Sequence, residues 1–426
     1  MDENISRRLL SRRGAVAAGI TVIVLLVVGV GLVLVTRHRG SGQANAAAFE
    51  FAECMREHGV AAWPDPTVEA GGGISFAGAA DLEASDDRVP AARAACQHIL
   101  DASLPSGGPR TVGPADPVVA GWKQVFPGGD CQCADGSKYG FYTRTANPKK
   151  VVLYLDGGGA CWSAKTCAPD SGNRYQTKVE APSAEGLFDL ADQRNPFAGY
   201  SFVYVPYCTA DLHIGDAVTT YAAGLTVRHK GYANGTAALD YLAATFPGAT
   251  DVVVVGASAG SVTAPLYAGL VADRLPDAHI TAVADSSGSY PDVPQLNKLL
   301  TGSAWQAGKA IPAWAGRSIP GFVIQSGRHD PDIVFARYDH ADDEDQKFHL
   351  ALAGVPDDDV PALIRANEAR IEKAGVTLHS YTAPGTGHIV FDDSAFYTET
   401  VNGIALVDWV TKLLANQPVD DVQWDR

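Results

Sequence analysis

Asp251-Val-Val-Val-Val-Gly-Ala-Ser-Ala-Gly260 is the stretch from which the rest of this chain can be read. Four consecutive valines before a glycine predict a strand buried on both faces, the kind found in parallel sheets sandwiched between helices. Gly256-Ala-Ser258-Ala-Gly260 then fits G-x-S-x-G, in which a serine sits on a tight strand-to-helix turn and side chains at the glycines would collide. Val262, Leu266, Leu270 and Leu275 follow at helical spacing. A strand, a strained serine and a helix in that order predict a nucleophile.

Working outward, alternating strands and helices occupy residues 118–426. Strands are predicted at Lys150–Leu155, Phe202–Pro206, His279–Ala284, Gly321–Gln325 and Val376–Tyr381, and helices at Gly231–Phe246, Asp358–Ala374 and Ile404–Ala415. This alternation predicts an α/β fold, a mostly parallel sheet with helices on both faces, for a catalytic domain spanning 118–426. Asp342-Asp-Glu-Asp345 and Asp357-Asp-Asp359 lack calcium-loop spacing and read as solvated faces.

A serine nucleophile needs a base, an acid that orients the base, and donors for the oxyanion. In alpha/beta hydrolases the chain order is Ser, acid, His, with an oxyanion loop upstream. Asp156-Gly-Gly-Gly-Ala160 follows a strand and supplies glycines whose N–H groups are sterically open. The N–H of Ala259, directly after the serine, is the second donor. Ser326-Gly-Arg-His-Asp330-Pro-Asp332 offers the acid, Asp330 or Asp332, and Gly385-Thr-Gly-His388 offers the base. Asp285 is a third acid candidate, though its neighbours Ser286-Ser-Gly288 suggest a structural turn. His213 has a weaker context than His388, and His229 and His340 have none.

The N-terminal part is different. Gly14 to Thr36 is an uncharged apolar run of 23 residues, preceded by Arg7, Arg8, Arg12 and Arg13 and followed by Arg37 and Arg39. At about 1.5 Å per residue it would cross the roughly 30 Å hydrocarbon core, and the arginine bias keeps residues 1–13 in the cytoplasm. The expectation is a single-pass cell-membrane protein: cytoplasmic tail 1–13, transmembrane anchor 14–36, linker 37–48, and the rest extracytoplasmic. Residues 49–104 read as a small helical module, too small to bury much core and therefore stapled by a Cys54–Cys96 bridge. Residues 105–117 form the next linker. All seven cysteines follow the anchor, as an oxidising compartment allows, and one of them must stay free. The net charge of −15 leaves no basic surface for nucleic acid.

Leu155-Asp-Gly-Gly-Gly-Ala-Cys161-Trp162…Cys167, Tyr204-Val-Pro-Tyr-Cys208-Thr-Ala-Asp211-Leu-His-Ile-Gly215-Asp216 and Gly256-Ala-Ser-Ala-Gly260 together resemble the pectin acetylesterase/Notum family of serine esterases. The resemblance covers roughly Cys133 to Asp393 in segments. It implies an alpha/beta-hydrolase fold cleaving carboxylic esters, with a triad of Ser258, Asp330 and His388 and an oxyanion hole at Gly158, Gly159 and Ala259. It also implies bridges Cys133–Cys208 and Cys161–Cys167, leaving Cys131 free. One departure stands out: the plant acid motif continues to Trp-Gln, whereas Pro331-Asp332-Ile333 follows here.

The expected function is thus an extracytoplasmic serine esterase acting on carboxylic, chiefly acetyl, esters through an acyl-enzyme, without metal or organic cofactor. The acidic chain does not attract polyanionic pectin, so an acylated neutral glycan is as good a partner. The alternatives are a hydrolase-fold binding or adhesion protein without activity, against which the ordered Ser, acid and His argue, and a lipase or peptidase on the same fold.

Overall fold

The computed structural model describes residues 51–64 and 66–68, single positions and short runs between 74 and 96, and 121–424 apart from 170–174 and 357. The anchor at 14–36 and the linkers at 37–48 and 105–117 lie outside the described residues. Among the described residues no helix is long and apolar enough to cross a membrane. The chain divides into two units, Met1–Asp116 and Pro117–Arg426.

In the first unit a helix at 51–57 buries Phe51, Ala52 and Met55 against Val60, Trp63, Val89, Ala92 and Cys96. Cys54 and Cys96 are disulfide-bonded across a sequence separation of 42. Closing a loop of that length removes about 4 kcal/mol of chain entropy from the unfolded state, a large amount for so small a core.

The second unit is built on a nine-stranded sheet. In chain order its strands are β1 (Lys123–Val125), β2 (Phe141–Arg144), β3 (Asn147–Leu155), β4 (Tyr200–Val205), β5 (Asp251–Ala257), β6 (His279–Asp285), β7 (Val334–His340), β8 (Leu378–Ala383) and β9 (Val422–Gln423). Across the sheet they run β9-β8-β7-β6-β5-β3-β4-β2-β1. All pairings from β9 to β4 are parallel, and β2 and β1 extend that edge antiparallel. The valine run explains itself in β5. Val252 and Val254 join one core cluster, and Val253 and Val255 join another on the opposite face. Because strand side chains alternate, only a sheet covered on both sides calls for apolar residues at every position.

Helices α1 (Gly231–Thr245), α2 (Ala259–Ala272) and α4 (Ile319–His329) contribute Leu239, Leu266 and Phe322 to the first cluster; α7 (Leu406–Leu414) contributes Trp409 and Leu413 to the second. The remaining helices of this unit used below are α3 (Pro294–Thr301), α5 (Glu344–Leu352) and α6 (Val360–Lys373).

One predicted element is of the wrong type. Gly321–Gln325, expected as a strand, lies inside α4. The Ser318 hydroxyl accepts a hydrogen bond from Gly321 N, and Pro320 sits in the first turn, so the apolar run enters as a capped helix. The strand of this unit is instead Val334-Phe-Ala-Arg-Tyr-Asp-His340, which carries the buried pair Arg337–Asp339. That shift moves the strand's end, where an acid belongs, from residue 325 to residue 340.

Candidate active site

Ser258 stands between β5 and α2 with φ 50° and ψ −113°, a left-handed conformation that costs a non-glycine residue of order 1–3 kcal/mol. The surroundings hold it there. Its N–H donates to the Asp285 carbonyl (2.9 Å), and Ser261 Oγ donates to the Ser258 carbonyl (2.6 Å). A β-carbon on Gly256 would lie 2.7 Å from the Ser261 nitrogen and collide with the Gly260 carbonyl. One on Gly260 would collide with the Leu155 carbonyl. Both glycines of the pentapeptide are therefore required by backbone, which cannot move aside as a side chain would.

His388 follows β8 in the loop 384–393. Its Nε2 lies 2.7 Å from Ser258 Oγ and its Nδ1 2.7 Å from Asp343 Oδ2. Serine, imidazole and carboxylate thus form one continuous hydrogen-bonded chain. Burial pulls the His388 pKa down, but the hydrogen bond to Asp343, with the charges of Asp343, Asp345 and Asp285, outweighs it and leaves the value above its ordinary 6.5. Two backbone anchors aim the loop: Asp285 Oδ2 accepts from Val390 N and Phe391 N, both at 2.9 Å, and Ser286 Oγ donates to the His388 carbonyl. Burial raises the Asp285 pKa to about 7, against the pull of those two N–H groups.

The carboxylate that meets His388 is therefore neither of those favoured from sequence. Asp330 is the C-terminal cap of α4, away from the serine, and Asp332 is exposed beside it with its N–H bonded to Asp330 Oδ1 (3.0 Å). Since 321–325 is helix, Asp330 does not follow a sheet strand that points at the site. Asp285 is buried behind the histidine loop in the structural role its turn suggested.

Asp343, read from sequence as part of a solvated acidic run, is fully buried. It caps α5: Oδ1 accepts from Gln346 N (2.9 Å) and Oδ2 from Gln346 Nε2 (2.9 Å). Gln346 Nε2 also donates to Asp339 Oδ1 (3.0 Å), while its Oε1 accepts from Ser289 N (2.9 Å) and Ser289 Oγ (2.6 Å). Asp339 in turn pairs with Arg337 at 2.7 Å, and Arg337 with Glu368 at 3.0 Å. The available signal was the spacing Asp343-x-x-Gln346, a cap followed three residues later by a glutamine, ahead of a helix.

Gly159 and Ala259 line a pocket together with Ser258. Gly159 has φ 72°, and Ala259 opens α2, where an N–H has no carbonyl one turn back and the helix dipole favours negative charge. Gly158 is held differently: its carbonyl accepts from Gln176 N (3.0 Å), and a β-carbon there would press on Gln176 and Tyr207 at 2.9 Å. The pocket beyond is apolar, walled by Trp162, Leu212, Val262, Tyr290, Leu296, Leu299, Leu300, Trp305 and Ile319, with a cavity volume of about 50 Å³.

The bridges Cys133–Cys208 and Cys161–Cys167 are formed and Cys131 is free, its thiol pushed up to about 11 by burial. Asp211 and His213 of the resemblance motif serve architecture. Asp211 is buried, accepting from Thr209 Oγ1 (2.7 Å) and Gly231 N (2.8 Å), and His213 Nε2 donates to the Asp156 carbonyl (2.8 Å). Asp343, Asp345 and His388 have ligand atoms within 4.8 Å of one another, and both His388 nitrogens are engaged, Nε2 with Ser258 and Nδ1 with Asp343.

Residues 128–303 match the pectinacetylesterase family model. Over that segment the chain is similar to the pectinacetylesterases. This segment contains the serine corner and the glycine loop but ends before Asp343 and His388. Similar proteins include the palmitoleoyl-protein carboxylesterase NOTUM of Schmidtea mediterranea, 34% identical over 97 residues (20% of this chain, 18% of that protein). The palmitoleoyl-protein carboxylesterase notum1 of Xenopus laevis is 25% identical over 166 residues (36% of this chain, 34% of that protein). The chain thus spans about a fifth to a third of these relatives. In fold, it resembles the Wnt deacylase Notum from Drosophila, with a TM-score of 0.50 at 18% identity over 71% of this chain and 97% of that one.

Proposed function

We propose that this protein is a carboxylic ester hydrolase in which Ser258, His388 and Asp343 act as a triad. The observation that carries the reading is the hydrogen-bonded chain from Ser258 Oγ through His388 to the buried Asp343, set at the ends of parallel strands. His388 takes the serine proton as Oγ attacks the ester carbonyl, and Asp343 holds the imidazole in the Nδ1–H tautomer and stabilises the imidazolium. The N–H groups of Gly159 and Ala259 receive the oxyanion. The imidazolium then gives its proton to the departing alcohol. A water, deprotonated by the same histidine, releases the acid from the acyl-enzyme.

The leucine and tryptophan lining favours an apolar acyl group over a small acetyl group. The relatives named as palmitoleoyl-protein carboxylesterases support the same direction. An extracytoplasmic site behind a single membrane anchor is part of the proposal, supported by three disulfides and the apolar run 14–36. Protease added to intact cells should then remove the second unit; protection would reverse the orientation.

The deciding test is hydrolysis of 4-nitrophenyl esters from acetate to palmitate by the full chain and by Ser258→Ala. The expected outcome is a kcat/KM maximum beyond acetate and a loss on the order of 10⁵–10⁶ in kcat for the variant. An optimum at acetate would refute the acyl assignment; undiminished activity of Ser258→Ala would refute the triad.

A further inference from the structure

The apolar pocket beside Ser258 contains one side chain that does not belong to an apolar wall. His349, on α5 two turns after the acid Asp343, lines it among Leu296, Leu299, Tyr290 and Ala353. Its Nδ1 lies 2.8 Å from the Asp345 carbonyl. A carbonyl can only accept, so Nδ1 carries the proton and Nε2 carries a lone pair. That Nε2 is enclosed and has no hydrogen-bond partner among the described residues. Burial lowers the pKa of the ring, which keeps it neutral and leaves the lone pair available.

An orphaned acceptor in an otherwise dry wall loses its hydration without replacement, a cost of about 1–3 kcal/mol that an occupant with a donor would relieve. We infer that His349 is a specificity-determining residue: its Nε2 accepts a hydrogen bond from a hydroxyl on the group that fills the pocket, so the preferred ester is aliphatic but hydroxylated. The discrimination is one-sided. A plain chain of the same length fills the apolar wall equally well yet leaves Nε2 unpaired, whereas a charged chain is refused by the leucines and tryptophans. With the pocket holding the acyl half, as proposed above, the hydroxyl sits on the acyl chain; a preference found only on the alcohol side would move the acyl assignment and keep the acceptor. This inference rests on the pocket being the substrate site proposed above.

Two measurements separate it from that reading. The first needs no turnover: calorimetric titration of the Ser258→Ala chain with hexyl acetate and 6-hydroxyhexyl acetate in one arm, and with ethyl hexanoate and ethyl 6-hydroxyhexanoate in the other. The hydroxylated ligand of one arm should bind up to about tenfold more tightly than its plain counterpart, the worth of one net hydrogen bond. A His349→Leu change in the same background should abolish that preference, read as the ratio of the two affinities within each pair. His349→Gln, whose amide oxygen can accept, should restore part of it. Equal binding of plain and hydroxylated ligands in both arms, or a preference that survives His349→Leu, overturns the inference. The second measurement compares kcat/KM for the same pairs in the otherwise unaltered chain. There the arm that discriminated in binding should discriminate by a similar factor. Binding discrimination with no hydrolysis of any ester would overturn the esterase reading and leave the ligand assignment standing.

Discussion

Two strand-to-helix corners bring the site together, and they are built from opposite materials. At the β5–α2 corner Gly256, Ser258 and Gly260 are positioned by steric exclusion: backbone touches backbone and no charge is involved. At the β7–α5 corner Asp343 is positioned by hydrogen bonds, through Gln346 to Asp339 and Ser289 and on to Arg337 and Glu368. The first corner has one arrangement because nothing else fits. The second has one arrangement because every buried polar atom on Gln346 is satisfied, and a partly satisfied network would be worse than none. A nucleophile can be held rigidly by packing. A carboxylate that must stay ionised while buried needs donors.

The contrast can be broken most forcefully at the acid. Asp343→Asn should lower kcat by about 10⁴, because the amide holds the wrong histidine tautomer. Asp330→Asn, at the end of α4, should leave it within about twofold of the unaltered chain, as for a surface position. Steady-state kinetics on both variants decides between them, and the reverse pattern would restore Asp330 as the acid.

A smaller effect is expected at the steric corner. Gly260→Ala drives a β-carbon into the Leu155 carbonyl and should destabilise the second unit by about 1–3 kcal/mol, since backbone must shift. Chemical denaturation would read the loss; an unchanged midpoint would mean that the corner is looser than its geometry implies.

The smallest effect separates support from scaffolding at the polar corner. Gln346→Leu should reduce kcat by up to about tenfold through loss of a buried hydrogen bond to the acid. His388 must be neutral to act as base, and its raised pKa places the acid limb of kcat/KM above pH 6.5. Removing the Gln346 donor concentrates the Asp343 charge on the imidazole, which should move that limb further up. A fall in stability with the limb unmoved would assign Gln346 a structural role only.

Of this architecture, the steric half was readable from the chain and the polar half was not. Four valines and two glycines state their own constraint, because apolar runs and glycines have few other uses in that order. Arg337 and Asp339 hid β7: a charged pair in a strand reads as surface unless its partners are known, and these two are brought together only by the folded sheet. The run Gly321-Phe-Val-Ile-Gln325 had the apolarity of a strand, and the deciding features were Ser318 and Pro320 just upstream, which start a helix. A strand placed at 321–325 puts the expected acid one element too early. The histidine escaped this error because its loop follows β8, whose pattern was unambiguous.

Helix α2 buries all fourteen of its residues, from Ala259 to Ala272. A helix without a wet side has no position at which drift is neutral: a charge anywhere along it would be stranded, and a larger side chain would have nowhere to go. Descendants of this sequence would therefore inherit the serine's platform nearly unchanged and diversify elsewhere. The neighbouring α3 and the C-terminal end of α5 each turn one face to the pocket and another to water, so the half-buried Leu299, His349 and Ala353 can be exchanged without rebuilding the core. Selection for a new ester would act on those three positions long before it could touch the helix beneath the nucleophile.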